Sequence, residues 1–505
     1  MPFKKLGNRQ EYRVGIITST AFNALGKGLL FVSTLLVTHY FGTTQKTDLI
    51  YFLQNTQVQV SGFILAINMA VVIPRGVYLN HQNDRETTIA FYNAIFVLYL
   101  GIGLLALALF LISPVAFTGS ISKFSLPFLQ SHKSVLLFLP ISILCNFLYQ
   151  LVNDVFTSFR YFTLPVLINA LYALLVIFAL IFFNKQIGEY SYPAGIIVSL
   201  LLCIIIQLLL LKRMGWHFSI NKKLISIKTW WFIGYAQLGQ VFTLGASFLP
   251  FYLLSGETQG ALTAYIVTLQ LISLPSIFAI SQFSVVAGIK FTEYFAAGKW
   301  EEINSTFKRS IVFLLYLTFP VAALLALLGK DILQRFIHFT NVQSLDLATD
   351  FILLLSFTIP ANVVHTIVTR LLMATQKLRI AFVNQVVQNT LIIVLSYLFF
   401  KQFGPWGLPL AVLVGQFINL LSLAFIVTKY FKHIDFIFVI KWFVIIMLLN
   451  GVLFAGFYLL KSVLTVNLIT MALLSVLYLF IVAVAGLRMP VIKDIIKVPM
   501  KFLKP

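Results

Sequence analysis

Charge is what this sequence has least of. Only 10% of its 505 residues are Asp, Glu, Lys or Arg, against about 25% in soluble domains. With 60% hydrophobic residues and a mean hydropathy of +0.96, that shortage excludes a soluble fold, because no single core hides so much apolar surface. Cysteine is almost absent. Cys145 and Cys203 both lie inside apolar runs, which excludes a disulfide framework and any metal-spacing motif, so they read as small packing residues. The acids Asp48, Glu189, Glu257, Asp331 and Asp346 are scattered, which argues against the clustered carboxylates a glycosyl-transfer centre needs. No catalytic group, metal or cofactor is expected. There is no Ser/Gly linker and no loop long enough for a domain outside the membrane.

What is present is a succession of apolar runs about 20 residues long, each able to cross roughly 30 Å of hydrocarbon as a helix. Fourteen are read: 14–38, 48–73, 88–113, 134–154, 161–183, 192–211, 229–254, 261–289, 308–329, 347–370, 379–400, 405–428, 436–460 and 465–487. None alternates with the period of two that barrel strands require. The first is too long for a signal-peptide core and is expected to be retained. The net charge of +21 does not imply nucleic acid, because its distribution is a topology signal. With the N-terminus inside, 27 of the 36 Lys and Arg residues fall on inside segments and 8 on outside loops. This asymmetry predicts both termini in the cytoplasm, with contacts to anionic lipid. The stretch 290–309 and the tail "PVIKDIIKVPMKFLK" are expected to lie on the membrane surface as amphipathic anchors.

The chain also repeats itself. "GFILAINMAVVIP" (62–74) lies over "SIFAISQFSVVAG" (276–288) at a shift of 214, which also places Gly42 on Gly256 and Gln45 on Gln259. A second match puts Asn169 on Asn384 at a shift of 215. Six apolar segments fit in one period, so both copies have the same orientation. The expectation is an all-α polytopic membrane protein with an N-terminal lobe (1–212), a cytoplasmic link (213–228), a C-terminal lobe (229–430) and two extra helices with a basic tail (431–505). Parallel repeats of this kind are a transporter architecture with a site near the midplane, and no oligomer is required.

Polar residues inside the membrane mark that site. The second segment carries "QNTQVQVS" (54–61), with Gln54, Gln57 and Ser61 at i, i+3, i+7 and Asn55 and Gln59 at i, i+4. Such a stripe faces protein or water, not lipid. Gln237 and Gln240 in the seventh segment and Gln270 and Ser273 in the eighth extend the set. Together they predict a hydrated central cavity lined by segments 1, 2, 7 and 8. Lys27 is the one charge in the run from Val14 to Thr38. A cation at that depth costs about 2.5–3.5 kcal/mol or more, so it reads as a cavity-facing group that attracts an anion, with Asp48 its nearest acidic partner by depth. His365 in the tenth segment reads as a packing or hydrogen-bonding residue.

"YFGTTQKTD" (40–48) and "SGETQGALTAYIVTLQLISLPSIF" (255–278) resemble the lipid II flippase (MurJ/MviN) branch of the multidrug/oligosaccharidyl-lipid/polysaccharide exporter superfamily. The resemblance covers nearly the whole chain. It implies an alternating-access flippase of a bacterial inner membrane, whose cargo is a polyprenyl-diphosphate-linked saccharide lipid for cell-wall or polysaccharide biogenesis. It also implies that Lys27 stands on the family's cavity arginine and Asp48 on its helix 2 aspartate. The chain departs from the pattern at Ser33, at the missing second-helix arginine, and at Gln270 and Ser273, where a charged pair is usual. The C-terminal lobe lacks the acids of a sodium site. The residues leave an O-antigen or capsule-type polysaccharide flippase, a drug/cation antiporter and a membrane glycan ligase as alternatives.

Overall fold

The computed structural model describes residues 12–68, 72–81, 85–159, 161, 163–219, 227–276, 280–464 and 467–489, and every regular element among them is a helix. The basic N-terminal stretch, residues 220–226 of the link and the tail after Met489 lie outside the described residues. Among the described residues, eight helical stretches are long and apolar enough to cross a bilayer, or up to nine if a bent pair is one span. The chain forms two compact units, Met1–Ile266 with Ile337–Ser344, and Val267–Phe336 with Leu345–Pro505.

The first unit holds α1 (Tyr12–Phe41), α2 (Gln45–Ile67), α3 (Ile73–His81), α4 (Arg85–Ile112) and the short turns α5 (Pro114–Ile121), α6 (Leu126–Ser131) and α7 (Lys133–Leu136). After them come α8 (Phe138–Ser158), α9 (Thr163–Ile187), α10 (Ser191–Arg213) and α11 (Ile227–Leu254), and α12 (Ala261–Pro275) runs across the unit boundary. In a bilayer lipid tails are as apolar as Leu, so helix association depends on close packing and interhelical hydrogen bonds. Gly26 illustrates the first: a Cβ there sits 3.6 Å from the backbone of Ala170, and α1 packs along α9. The core under α2, α4 and α8 is aromatic, with Phe91, Tyr92, Tyr99, Phe147 and Phe156 buried together.

The apolar run 48–73 is helical on both sides of residues 69–71, which lie outside the described residues: α2 is described to Ile67, Asn68 keeps helical angles at φ −60° and ψ −47°, and α3 is described from Ile73. In the eighth segment α12 is described to Pro275 and the next helix from Ser281, and residues 277–279 lie outside the described residues.

The second unit comprises α13 (Ser281–Ala296), α14 (Trp300–Phe336), α15 (Val342–Ser356), α16 (Thr358–Ala374), α17 (Leu378–Phe403), α18 (Gly407–Tyr430), α19 (Phe436–Val463) and α20 (Leu468–Arg488). The stretch 290–309 is not a separate surface helix. It is the end of α13, a turn through Gly298 at φ +68°, and the start of α14. Inside this unit a chain of amides crosses three helices. Asn384 donates to Asn419 at 3.1 Å, Asn419 meets His365 Nδ1 at 3.0 Å, and Ser422 donates to Asn384 at 2.9 Å. His365 is therefore a hydrogen-bonding residue. Lys461 of α19 pairs with Asp331 and donates to the Leu327 carbonyl at 2.8 Å, which pins α19 to α14.

The boundary between the two compact units falls inside α12. The cause is local: α11 and the start of α12 are hydrogen-bonded to α2, through the contacts described next.

Candidate substrate site

α2 opens with Thr44 as its N-cap, accepting from the Thr47 N–H at 3.2 Å, and places Asp48 in the first turn. The carboxylate is 4% exposed. It accepts from the Gly260 N–H at 2.7 Å, the Thr263 N–H at 2.8 Å and the Thr263 hydroxyl at 2.5 Å. Asp48 thus spends its charge on the start of α12, where the helix dipole also favours an anion, and makes no ion pair with Lys27. Thr43 extends the joint: its hydroxyl lies 2.9 Å from that of Thr340 and 3.1 Å from that of Ser344, and its carbonyl accepts from the Thr340 hydroxyl at 2.8 Å. Gly260 is required at this crossing. It adopts φ +87°, and a Cβ would lie 2.9 Å from the Thr43 carbonyl oxygen.

Lys27 is exposed, and no hydrogen bond or ion pair to it occurs among the described residues. One side of α1 explains its position. Thr34 and Thr38 follow Lys27 along the same face and are buried, with the Tyr51 hydroxyl of α2 donating to the Thr34 carbonyl at 3.1 Å. The face is covered in that half and open at Lys27. A Cβ on the neighbouring Gly28, or on Gly62 of α2, meets no atom within 4 Å. Val58 and Leu65 of α2 and Val241 of α11 are exposed. Ser33, on the position of the family's second basic residue, is buried and returns its hydroxyl to the Leu30 carbonyl at 2.7 Å.

The amide stripe of α2 divides into two faces. Gln57 is 5% exposed, and with Gln54 it lines a small pocket against α8 and α10, along with Ser142 and Ile196. These two side chains point away from the open side. Gln59 accepts from Ser247 of α11 at 2.8 Å, and Gln237 donates to the Phe63 carbonyl at 3.0 Å. Asn55 Nδ2 and Gln237 Oε1 are buried with no partner, so a donor and an acceptor stay unspent in the α2–α11 layer. Gln240 is half-buried beside them. In the second unit, Ser273 donates to the Gln270 carbonyl at 2.8 Å, and Gln270 Oε1 is buried without a partner.

Two groups of the first unit escaped the sequence reading. Asp154 lies at the last residue of an expected span, where a charge reads as a helix boundary, yet it is 8% exposed. Thr263 carried no signal, because a threonine in an apolar run is unremarkable until its partner is known. Among the described residues no group of three or more His, Cys, Asp or Glu is placed to hold a metal ion.

A family model described as lipid II flippase MurJ matches residues 67–485. Among solved structures, the chain is similar to a lipid II flippase MurJ in an inward closed conformation, with a TM-score of 0.77 at 17% identity, covering 94% of this chain and 99% of that one. It is also similar to an inward-facing multidrug resistance MATE family transporter of the MOP superfamily, with a TM-score of 0.63 at 12% identity, covering 82% and 98%. A MOP superfamily transporter from Pyrococcus furiosus gives a TM-score of 0.58 at 13% identity, covering 84% and 97%. No curated protein matches.

Proposed function

We propose, for a chain that belongs to the lipid II flippase MurJ family, that Lys27 is the group that receives the phosphate of its cargo. The protein is a multi-pass membrane transporter, not an enzyme, and flips a lipid-linked glycan precursor. In our reading the cargo is a polyprenyl-diphosphate-linked glycan, carried from the cytoplasmic to the outer leaflet of the inner membrane, with lipid II as the substrate the family favours.

The observation that carries this is an exposed ammonium on α1 with no acidic partner among the described residues. A membrane helix holds such a charge only where something compensates it, and an anionic headgroup supplies the compensation. Lysine is a point charge where arginine is a planar fork, so the phosphate is held by attraction and not by bidentate geometry. Orientation and selectivity then fall to the amides. Asn55, Gln59, Gln237 and Gln240 stand on the α2–α11 side and offer donors and acceptors to sugar hydroxyls, while Gln270 and Ser273 are a further candidate pair. Gln54 and Gln57 serve a different purpose, since they face into the first unit. Asp48 acts on the protein and not on the cargo. With the positive-inside orientation, the Asp48–Thr263 and Thr43–Thr340 joint lies at the outer end of α1 and α2, and its opening exposes Lys27 to the outside.

The test is flipping of the lipid-linked precursor by full-length protein at matched expression. Lys27→Ala is expected to slow transfer at least tenfold, and Lys27→Arg to retain most of it, because the charge is kept. Wild-type rates in Lys27→Ala overturn the reading. A second reading, an O-antigen-type flippase, is favoured by one observation: Ser33, on the position of the family's second basic residue, is buried on its own backbone, so that position adds no cation beside Lys27.

A further inference from the structure

We propose that Asp154 is a proton-binding site inside the first unit, reached from the outer surface along a polar seam between α2 and α8. The site stands on the geometry alone; only its use in transport, and the naming of the outer surface, rest on the reading above.

The seam begins in a cavity of about 160 Å³ lined by Lys46, Ser131, His132, Glu189 and Tyr190. Lys46 lies 3.5 Å from Glu189, and His132 Nδ1 lies 2.8 Å from the Phe128 carbonyl. Because a carbonyl only accepts, Nδ1 carries the proton of that bond and Nε2 is the remaining ring nitrogen. Ile50 and Val135 are shared between this cavity and a second of about 20 Å³, lined in part by Gln54, Gln57 and Ser142. Its lining is otherwise apolar, and the volume has room for one water beside these three polar residues. Further along, Asn146 donates to Ser61 at 2.9 Å, and Ser61 donates to the Gln57 carbonyl at 2.7 Å. At the end Asn68 donates to Asp154 Oδ2 at 2.6 Å, and the Tyr99 hydroxyl donates to Asn68 Oδ1. The polar positions follow helix geometry: Gln54, Gln57, Ser61 and Asn68 keep to one face of α2, while Ser142, Asn146 and Asp154 follow an i+4 row of α8.

Asp154 needs a proton more than a metal ion. It accepts one hydrogen bond and forms no ion pair among the described residues. An ionised carboxylate in an apolar core is costly unless paired or well hydrogen-bonded. A hard cation requires several oxygen ligands, but the Asn68 oxygen already accepts from Tyr99. Tyr92 and Tyr99 of α4 are the titratable groups near it. Arg75 of α3 lies over Tyr78, Arg85 bonds the Met214 carbonyl, Glu86 pairs with His217, and Lys212 and Arg213 of α10 are exposed. The location gives the proton leverage. Asn68 directly follows Ile67 of α2 and keeps helical angles at φ −60° and ψ −47°, so adding H⁺ to the carboxylate converts an acceptor into a neutral acid against the end of that helix.

The experiment uses purified full-length protein and a hydrophobic carbodiimide, which adds to protonated carboxyls in apolar sites, with peptide mass spectrometry across a pH series. Asp154 is expected to be modified at low pH and progressively spared as pH rises, measured against exposed Glu302. The Gln57→Leu/Asn146→Leu double variant is expected to slow the modification at least tenfold, with the melting curve checking the fold. Absence of adduct at every pH, or an extent that ignores pH, overturns the site; an unchanged rate in the double variant overturns the route. Asp154→Asn is then expected to make flipping independent of external pH, and retained pH dependence overturns the coupling. The labelling arm reads out even if no lipid moves, so the two readings fail separately.

Discussion

Lys27 and Asp48 bring opposite charges into consecutive apolar segments and are handled in opposite ways. The carboxylate is enclosed by three donors, so its charge is spent inside the protein. The ammonium is left exposed, so its charge is available. Sequence depth alone made Asp48 the nearest acidic partner of Lys27; the donors at Gly260 and Thr263 lie more than 200 residues away along the chain, and no local pattern announces them. Glycines of the same unit separate just as cleanly. Gly260→Ala forces a side chain into φ +87° and against the Thr43 carbonyl, and is expected to cost about 1–3 kcal/mol. Gly62→Ala adds a methyl where no atom lies within 4 Å and improves helix propensity, so it is expected to be neutral or stabilising by up to about 1 kcal/mol. Thermal unfolding of the two variants in detergent measures the contrast, and equal melting temperatures would remove the case for a tight crossing at Gly260.

At the scale of the helix, α2 carries most of what is distinctive. The i, i+3, i+7 spacing made its polar stripe legible, because period alone decides which residues share a face. The stripe's division was not legible, because which neighbour covers each face depends on α8, α10 and α11. Asp154 was missed for a related reason: a charge at the end of an apolar run resembles a boundary unless its burial is known. Asn68 joins these features, since its amide bonds both Asp154 and Tyr99. Asn68→Leu removes both bonds and leaves a buried carboxylate without its donor, and is expected to destabilise by about 1–3 kcal/mol. Ser247→Ala removes the bond to half-buried Gln59, and is expected to cost about 0.6 kcal/mol, the usual worth of such bonds in membranes. Comparable losses would show that Asn68 anchors α2 no more strongly than Gln59 does.

At the scale of the whole chain, composition and run length were enough to establish a polytopic helical membrane protein, because both follow from the bilayer's thickness and dryness. The compact unit that ends at Ile266 depends on long-range hydrogen bonds from α2 to α11 and α12, which internal similarity does not encode. Cargo identity is a question at this same scale, since it depends on how much positive charge the protein can present to one headgroup. A diphosphate brings more negative charge than one ammonium cancels, and Ser33, Gln270 and Ser273 add none. The rest of the headgroup's binding must therefore come from amide hydrogen bonds to sugar, which are short-range and insensitive to ionic strength. Depleting the protein is expected to trap lipid II in the cytoplasmic leaflet, detected as precursor shielded from a membrane-impermeant reagent added outside. Raising salt in a reconstituted flipping assay is expected to slow transfer only a few-fold, as befits a single exposed charge. If a different polyprenyl-linked glycan accumulates, the amides around α2 and α11 select another sugar while Lys27 keeps its role. If no lipid-linked glycan accumulates, an exposed ammonium on α1 needs a different anion to explain it.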